Sequence, residues 1–221
     1  MSDQSCLVLI RHGQSTYNEQ NLFTGWEDVT LTEKGIQEAH EAAPLLTNLT
    51  FTHAFTSKLK RAQHTLDIIL ENMHQDLLVT EDIALNERDY GSLVGQNKAE
   101  AAEKYGSDQV QIWRRSYATP PPDGESLEMT AKRSIPYFQD KIEPLLMGNN
   151  NIIVSAHGNS IRSIVMHLHN FSSEQILQTE IGWCEPWKYT FCNGKKINFE
   201  IISRPGSGSK SYLPETTESI I

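Results

Sequence analysis

The chain has 221 residues, 38% of them hydrophobic and 21% charged, with a formal net charge of −9. That length suits one large domain with its own core, and the apolar share excludes a wholly disordered chain. The longest apolar run, Cys6–Ile10, falls far short of the ~20 residues of a membrane-crossing helix, and the acidic balance argues against a nucleic-acid partner.

Met1–Ser5 has no basic n-region, and only five apolar residues follow it, so no signal peptide is expected. Cys6–Ile10 reads as a buried parallel strand. Thr32 caps a helix through Ile36, Ala39, Ala43 and Leu46, with Pro44 expected to kink or shorten it. Phe55–Ser57 is a short strand, and Lys58 to about Met73 carries Leu59, Ala62, Leu66, Ile69 and Leu70 at helical spacing. Shorter helices are predicted over Ala99–Tyr105 and Gln109–Tyr117, a Pro/Gly loop over Pro120–Gly124, and a longer helix over Leu127–Leu146. Ile152–Ala156 is a second buried strand, followed by a helix from Ile161 to Leu168. Trp187–Cys192 and Ile197–Ile202 form a hairpin through Asn193-Gly194. This alternation predicts one α/β domain over residues 1–203, with a mainly parallel sheet, and a mobile tail over 204–221. Three cysteines without a CxxC pair fit a reducing, cytoplasmic setting rather than a disulfide scaffold.

The two buried strands end alike, in Arg11-His12-Gly13-Gln14-Ser15 and in His157-Gly158-Asn159-Ser160. Ligands gather at the carboxyl ends of strands in open α/β sheets, so two parallel strands would set His12 against His157 there. The helix that starts after His157 offers its N-terminus to an anion. Among eight arginines, Arg11, Arg61, Arg88, Arg114 and Arg115 fall near loops or helix ends, where guanidinium groups suit phosphate or carboxylate. A neutral imidazole can attack phosphorus, cations can hold the transferring charge, and an acid such as Glu87 can move the proton. The residues alone therefore point to phosphoryl transfer through His12, with no metal and an unspecified acceptor. The other histidines lie on helices or at a strand end, with no carboxylate or Cys at metal-ligand spacing.

Leu9–Ser15 with Asn18 resembles the signature of the histidine phosphatase superfamily. Phe23–Trp26, Thr56–Ala62, Leu85–Gly91, Gly95–Glu100, Trp113–Arg115 and Ala156–Ser160 resemble its cofactor-dependent, 2,3-bisphosphoglycerate-dependent phosphoglycerate mutases. The resemblance implies a three-layer α/β/α sandwich and interconversion of 3- and 2-phosphoglycerate in glycolysis and gluconeogenesis. It implies His12 as the phosphorylated nucleophile, Glu87 as proton carrier, and His157, Arg11 and Arg61 as transition-state stabilisers. Ser15, Asn18, Thr24, Gly25, Arg88, Tyr90, Lys98, Arg114, Arg115, Gly158 and Asn159 would bind substrate, a small phosphorylated carboxylate. The implied cofactor is 2,3-bisphosphoglycerate as priming donor, with no metal, nucleic acid or membrane. Monomer, homodimer and tetramer all stay open. Two other readings are a phosphatase of the same superfamily and a non-catalytic phosphate-binding module. The chain departs from many members in its short Pro120–Gly124 loop, its 181–187 segment and its lysine-poor tail.

Overall fold

The computed structural model describes residues 4–203 and 211–215. Strand β1 (Gln4–Arg11) runs into a short helix α1 (Thr16–Glu19), whose Ser15 cap exchanges hydrogen bonds with Asn18. Helix α2 (Glu33–Ala42) is capped by Thr32 and gives way to a 3₁₀ turn over Ala43–Leu46. Pro44 sits where the proline-driven change was expected, since it has no N–H for the helical ladder. β2 (His53–Thr56), α3 (Lys60–Asn72) and β3 (Val79–Glu81) follow. After these come α4 (Lys98–Tyr105), α5 (Ser107–Arg115), α6 (Leu127–Tyr137), β4 (Asn151–Ala156) and α7 (Gly158–His169). α8 (Ser173–Gln178) and the hairpin β5 (Trp187–Cys192) and β6 (Lys195–Ile201) complete the described elements.

The sheet order is β3-β2-β4-β1-β5-β6. Pairing is parallel from β3 through β1 and antiparallel on both sides of β5, so among the described strands β5 alone runs against the rest. Alternating side chains feed two cores. Leu7, Leu9, Ile152 and Val154 pack on one face with residues of α6 and α7. Cys6, Val8, Ile10 and Ile153 pack on the other with residues of α2 and α3. A strand buried on both faces needs apolar residues at every position, and that makes the structure the expected three-layer α/β/α sandwich.

Three local differences from the sequence reading have physical causes. The long helix expected over Leu127–Leu146 is α-helical only to Tyr137, then passes through a π turn (Phe138–Ile142) and a 3₁₀ turn (Glu143–Met147). Pro136 and Pro144 each remove a backbone donor there. β3 and α8 went unanticipated because each buries little: β3 has one half-buried valine, and α8 buries only Ile176. In the segment expected as a tail, Tyr212 pairs with Glu180 through two backbone hydrogen bonds, and Ser211 Oγ accepts from Gly182 N and Trp187 Nε1. Residues 204–210 and 216–221 of that segment lie outside the described residues.

Candidate active site

Strand register sets the site. Arg11 of β1 lies opposite Ala156 of β4, so the next residues, His12 and His157, leave neighbouring strands side by side. Their rings meet edge to face with centroids 5.0 Å apart. Thr56 of β2 lies opposite Ser155, which brings Ser57 against His157, Oγ to Nε2 at 2.7 Å. Both histidines are buried, at 2% and 0% exposure.

His12 Nδ1 lies 2.6 Å from the Gly13 carbonyl oxygen. A carbonyl only accepts, so Nδ1 carries the hydrogen and the lone pair is on Nε2. Arg61 Nε–H donates to that lone pair at 3.3 Å. Burial first, then the charges of Arg61 and Arg11, hold the His12 pKa well below its ordinary value, against the opposing Gly13 bond. His157 is likewise held well below, first by burial, then by Arg61, His12 and Arg11. The Arg61 guanidinium is pinned by the carbonyls of Glu27 and Gly25, each at 2.9 Å. Burial lowers its pKa to about 10, which leaves it charged at neutral pH.

Glu87 follows the 3₁₀ turn Ile83–Leu85. Its Oε1 accepts from Arg88 N at 2.8 Å, Asn159 Nδ2 at 2.9 Å and Asn159 N at 3.1 Å. The N-terminus of α7, expected to face an anion, thus gives one of its amides to Glu87. The other oxygen, Oε2, lies 3.8 Å from the place a Gly158 Cβ would take, and Arg11 Nε lies 3.7 Å from the same point. Gly158 therefore leaves room between the carboxylate and the guanidinium.

A pocket of ≈ 220 Å³ opens here, lined by Arg11, Asn18, Thr24, Glu87, Tyr90, Lys98, Arg114, Arg115, Gly158 and Asn159 of the predicted set. Six predicted residues stand behind this lining. His12, His157 and Arg61 form the buried cluster just described. Ser15 Oγ–H and N–H donate to Asn18 Oδ1, Gly25 supplies the carbonyl for Arg61, and Arg88 donates to Tyr90 Oη at 2.9 Å. Burial raises the Tyr90 pKa, but the Arg88 charge and the bonds from Arg88 and Asn159 outweigh it and lower the phenol overall. Among the described residues, the buried Arg11 Nε, Arg88 Nε and His157 Nδ1 have no hydrogen-bond partner. Buried donors of this kind are rare without a reason, and Arg11 Nε, whose residue lines the pocket, fits an anionic ligand.

Sequence reasoning passed over several residues. Ser57 directly follows β2 as His12 directly follows β1, and that parallel was the available signal. Arg133 of α6 reaches the carbonyls of Ala84 (2.9 Å), Asn86 (3.0 Å) and Glu87 (2.8 Å) and so braces the Glu87 loop. Trp26 Nε1 donates to the same Glu87 carbonyl at 2.6 Å. Arg162 and Glu180 line the pocket and carry no motif of their own. No group of three or more His, Cys, Asp or Glu among the described residues is placed to hold a metal. No helix among them is long and apolar enough to cross a membrane.

A sequence model of the histidine phosphatase superfamily, branch 1, matches residues 7–197, so fold and site define a protein of that superfamily. The 2,3-bisphosphoglycerate-dependent phosphoglycerate mutase of Parvibaculum lavamentivorans is 52% identical over 212 residues, 95% of this chain and 96% of the relative. The enzyme of that name from Cytophaga hutchinsonii is 49% identical over 210 residues, covering 95% of each. Within the superfamily, the chain belongs to the family of these mutases. Among solved structures, a phosphoglycerate mutase from Bacillus anthracis matches with a TM-score of 0.71 at 23% identity, covering 91% of this chain and 93% of that one. An alpha-ribazole phosphatase from Shigella flexneri matches at 0.79 and 21%, covering 90% and 96%. At such identities these two likenesses speak for the fold alone.

Proposed function

We propose that this chain is a 2,3-bisphosphoglycerate-dependent phosphoglycerate mutase, interconverting 3-phosphoglycerate and 2-phosphoglycerate through phosphorylated His12. The observation that carries the reading is a neutral, fixed imidazole next to a pocket lined by five cationic side chains, Arg11, Lys98, Arg114, Arg115 and Arg162. A plain phosphatase has less need of so many cations beyond those at the transferred phosphate. A carboxylate and a second phosphate would occupy them.

His12 Nε2 attacks phosphorus, the bond to the donor oxygen breaks with its electron pair on that oxygen, and Glu87 supplies the proton. In return, Glu87 takes the proton of a substrate hydroxyl as its oxygen attacks phosphorus and Nε2 leaves. Arg61, Arg11 and His157 border the path and stabilise the charge spread over the transferring group. Asn18, Thr24, Tyr90, Lys98, Arg114, Arg115, Gly158 and Asn159 hold the phosphate and carboxylate, while Ser15, Gly25 and Arg88 hold Asn18, Arg61 and Tyr90 in place. Bound 2,3-bisphosphoglycerate supplies the phosphoryl group that primes His12, and the cationic lining with the unpartnered Arg11 Nε suits such a polyanion. The reading includes no metal, nucleic acid or membrane. Three free cysteines suit the cytoplasm.

A coupled assay with 3-phosphoglycerate, with and without catalytic 2,3-bisphosphoglycerate, tests the function. Stimulated product formation is expected; unstimulated release of inorganic phosphate would instead make the chain a phosphatase. His12→Ala should abolish labelling by radioactive bisphosphoglycerate, and acid-labile label persisting in that variant would remove His12 as the nucleophile.

A further inference from the structure

Glu180 is an outlier in the pocket. Among the described residues of the lining it is, apart from Glu87, the only carboxylate beside five cationic side chains, which gives these residues a formal charge of +3. Its two oxygens bridge two of those cations: Oε1 lies 2.6 Å from Arg115 Nη1 and Oε2 lies 2.8 Å from Arg162 Nη2. A ligand carboxylate or phosphate would take the same pair of guanidinium groups in the same bridging way. Arg162 is further fixed by the Thr179 carbonyl at 2.7 Å and by Asn159 Oδ1 at 3.3 Å, so this cation does not swing away. The Glu180 backbone is held as well, by its two hydrogen bonds with Tyr212. The carboxylate is therefore a fixed negative charge in the place where ligand anions must bind.

We propose that Glu180 is a specificity-determining residue that sets the pocket's discrimination between ligands of different negative charge. The inference rests on the functional reading above, in which both a monophosphate and a bisphosphate of glycerate must bind and leave. Coulomb repulsion scales with ligand charge, and a second phosphate adds about two negative charges. Glu180 thus weakens the bisphosphate more than the monophosphate and keeps the doubly phosphorylated form from becoming a trap. Its half-exposed position moderates the effect to a few-fold per ligand charge.

The test is calorimetric binding of 3-phosphoglycerate and 2,3-bisphosphoglycerate to protein carrying His12→Gln, so that no phosphoryl transfer intrudes. Adding Glu180→Gln should tighten the bisphosphate by about tenfold more than the monophosphate. Glu180→Asp, which keeps the charge, should leave the ratio of the two affinities within about twofold of its starting value. An unchanged ratio in the Gln variant, or weaker binding of both ligands, would overturn the proposal and leave Glu180 as a brace for Arg115. These measurements do not require turnover. A failure of the mutase reading shows instead in the coupled assay of protein with His12 and Glu180 intact.

Discussion

At the scale of single residues, the site depends on two imidazoles kept neutral by burial and by arginines. The unfolded chain takes up their protons near the ordinary value of 6.5, whereas the folded chain does so only at much lower pH. Below about pH 6.5 the unfolded state therefore binds more protons, and stability falls as pH falls toward the depressed folded values. The urea midpoint should drop between about pH 7.5 and 5.5, and His12→Gln should shrink that drop. A midpoint with the same pH dependence in the variant would contradict the assignment. Ser57 offers a second test. Its hydroxyl meets both His157 Nε2 and Leu59 N, and Ser57→Ala leaves a buried imidazole nitrogen without that partner. Losing such a partner costs about 1–3 kcal/mol, so kcat should fall roughly 10- to 100-fold with KM changing much less. The sequence revealed His12, His157, Glu87 and the main arginines because each stands in a short motif beside a strand or turn. It did not reveal Ser57, Arg133, Arg162 or Glu180, each of which has a decisive partner on another element: Arg133 meets carbonyls 46 to 50 positions away.

At the scale of elements, two strands and one helix start position nearly everything, and they tolerate no extra atoms where the chain turns. A Cβ on Gly35 would sit 2.1 Å from the Gln14 carbonyl oxygen, and one on Gly13 would sit 2.2 Å from the Gly35 oxygen. The obstacles are backbone, so the first turn of α2 or the loop after His12 would have to move. Gly35→Ala should cost about 2 kcal/mol or more and lower the thermal midpoint by about 5 °C or more. Activity should fall as well, since the displaced loop carries Gly13, the acceptor for His12 Nδ1. A calorimetric scan with an unchanged midpoint would show that the close approach relaxes freely. The existence of β1, β4 and the β5–β6 hairpin was legible because apolar runs and the Asn193-Gly194 turn are local signals. The turn has the positive φ values that pair requires, 49° and 72°. The break of the long helix after Tyr137 was legible only in hindsight from Pro136 and Pro144. A short edge strand such as β3 leaves almost no pattern to read.

At the scale of the whole molecule, net charge and pocket charge have opposite signs and make opposite demands on an anionic ligand. The chain carries −9, which repels anions at a distance, while the pocket lining carries five cations against two carboxylates. If the long-range field governed binding, added salt would screen the repulsion and lower KM. If the pocket governs, salt must raise KM, because ions then compete for the guanidinium groups at short range. The second outcome is expected, since several of these cations are partly buried and lie within one Debye length, about 8–10 Å, of any ligand they touch. The two fields can be separated by comparing sulfate with chloride at equal ionic strength. Screening depends only on ionic strength, whereas sulfate also mimics a phosphate at the guanidinium groups. Sulfate should therefore raise the KM for 3-phosphoglycerate several-fold more than chloride, competitively and with kcat unchanged. Equal effects of the two salts, or a KM that falls with either, would mean that the overall acidity and not the arginine pocket decides how substrate is captured.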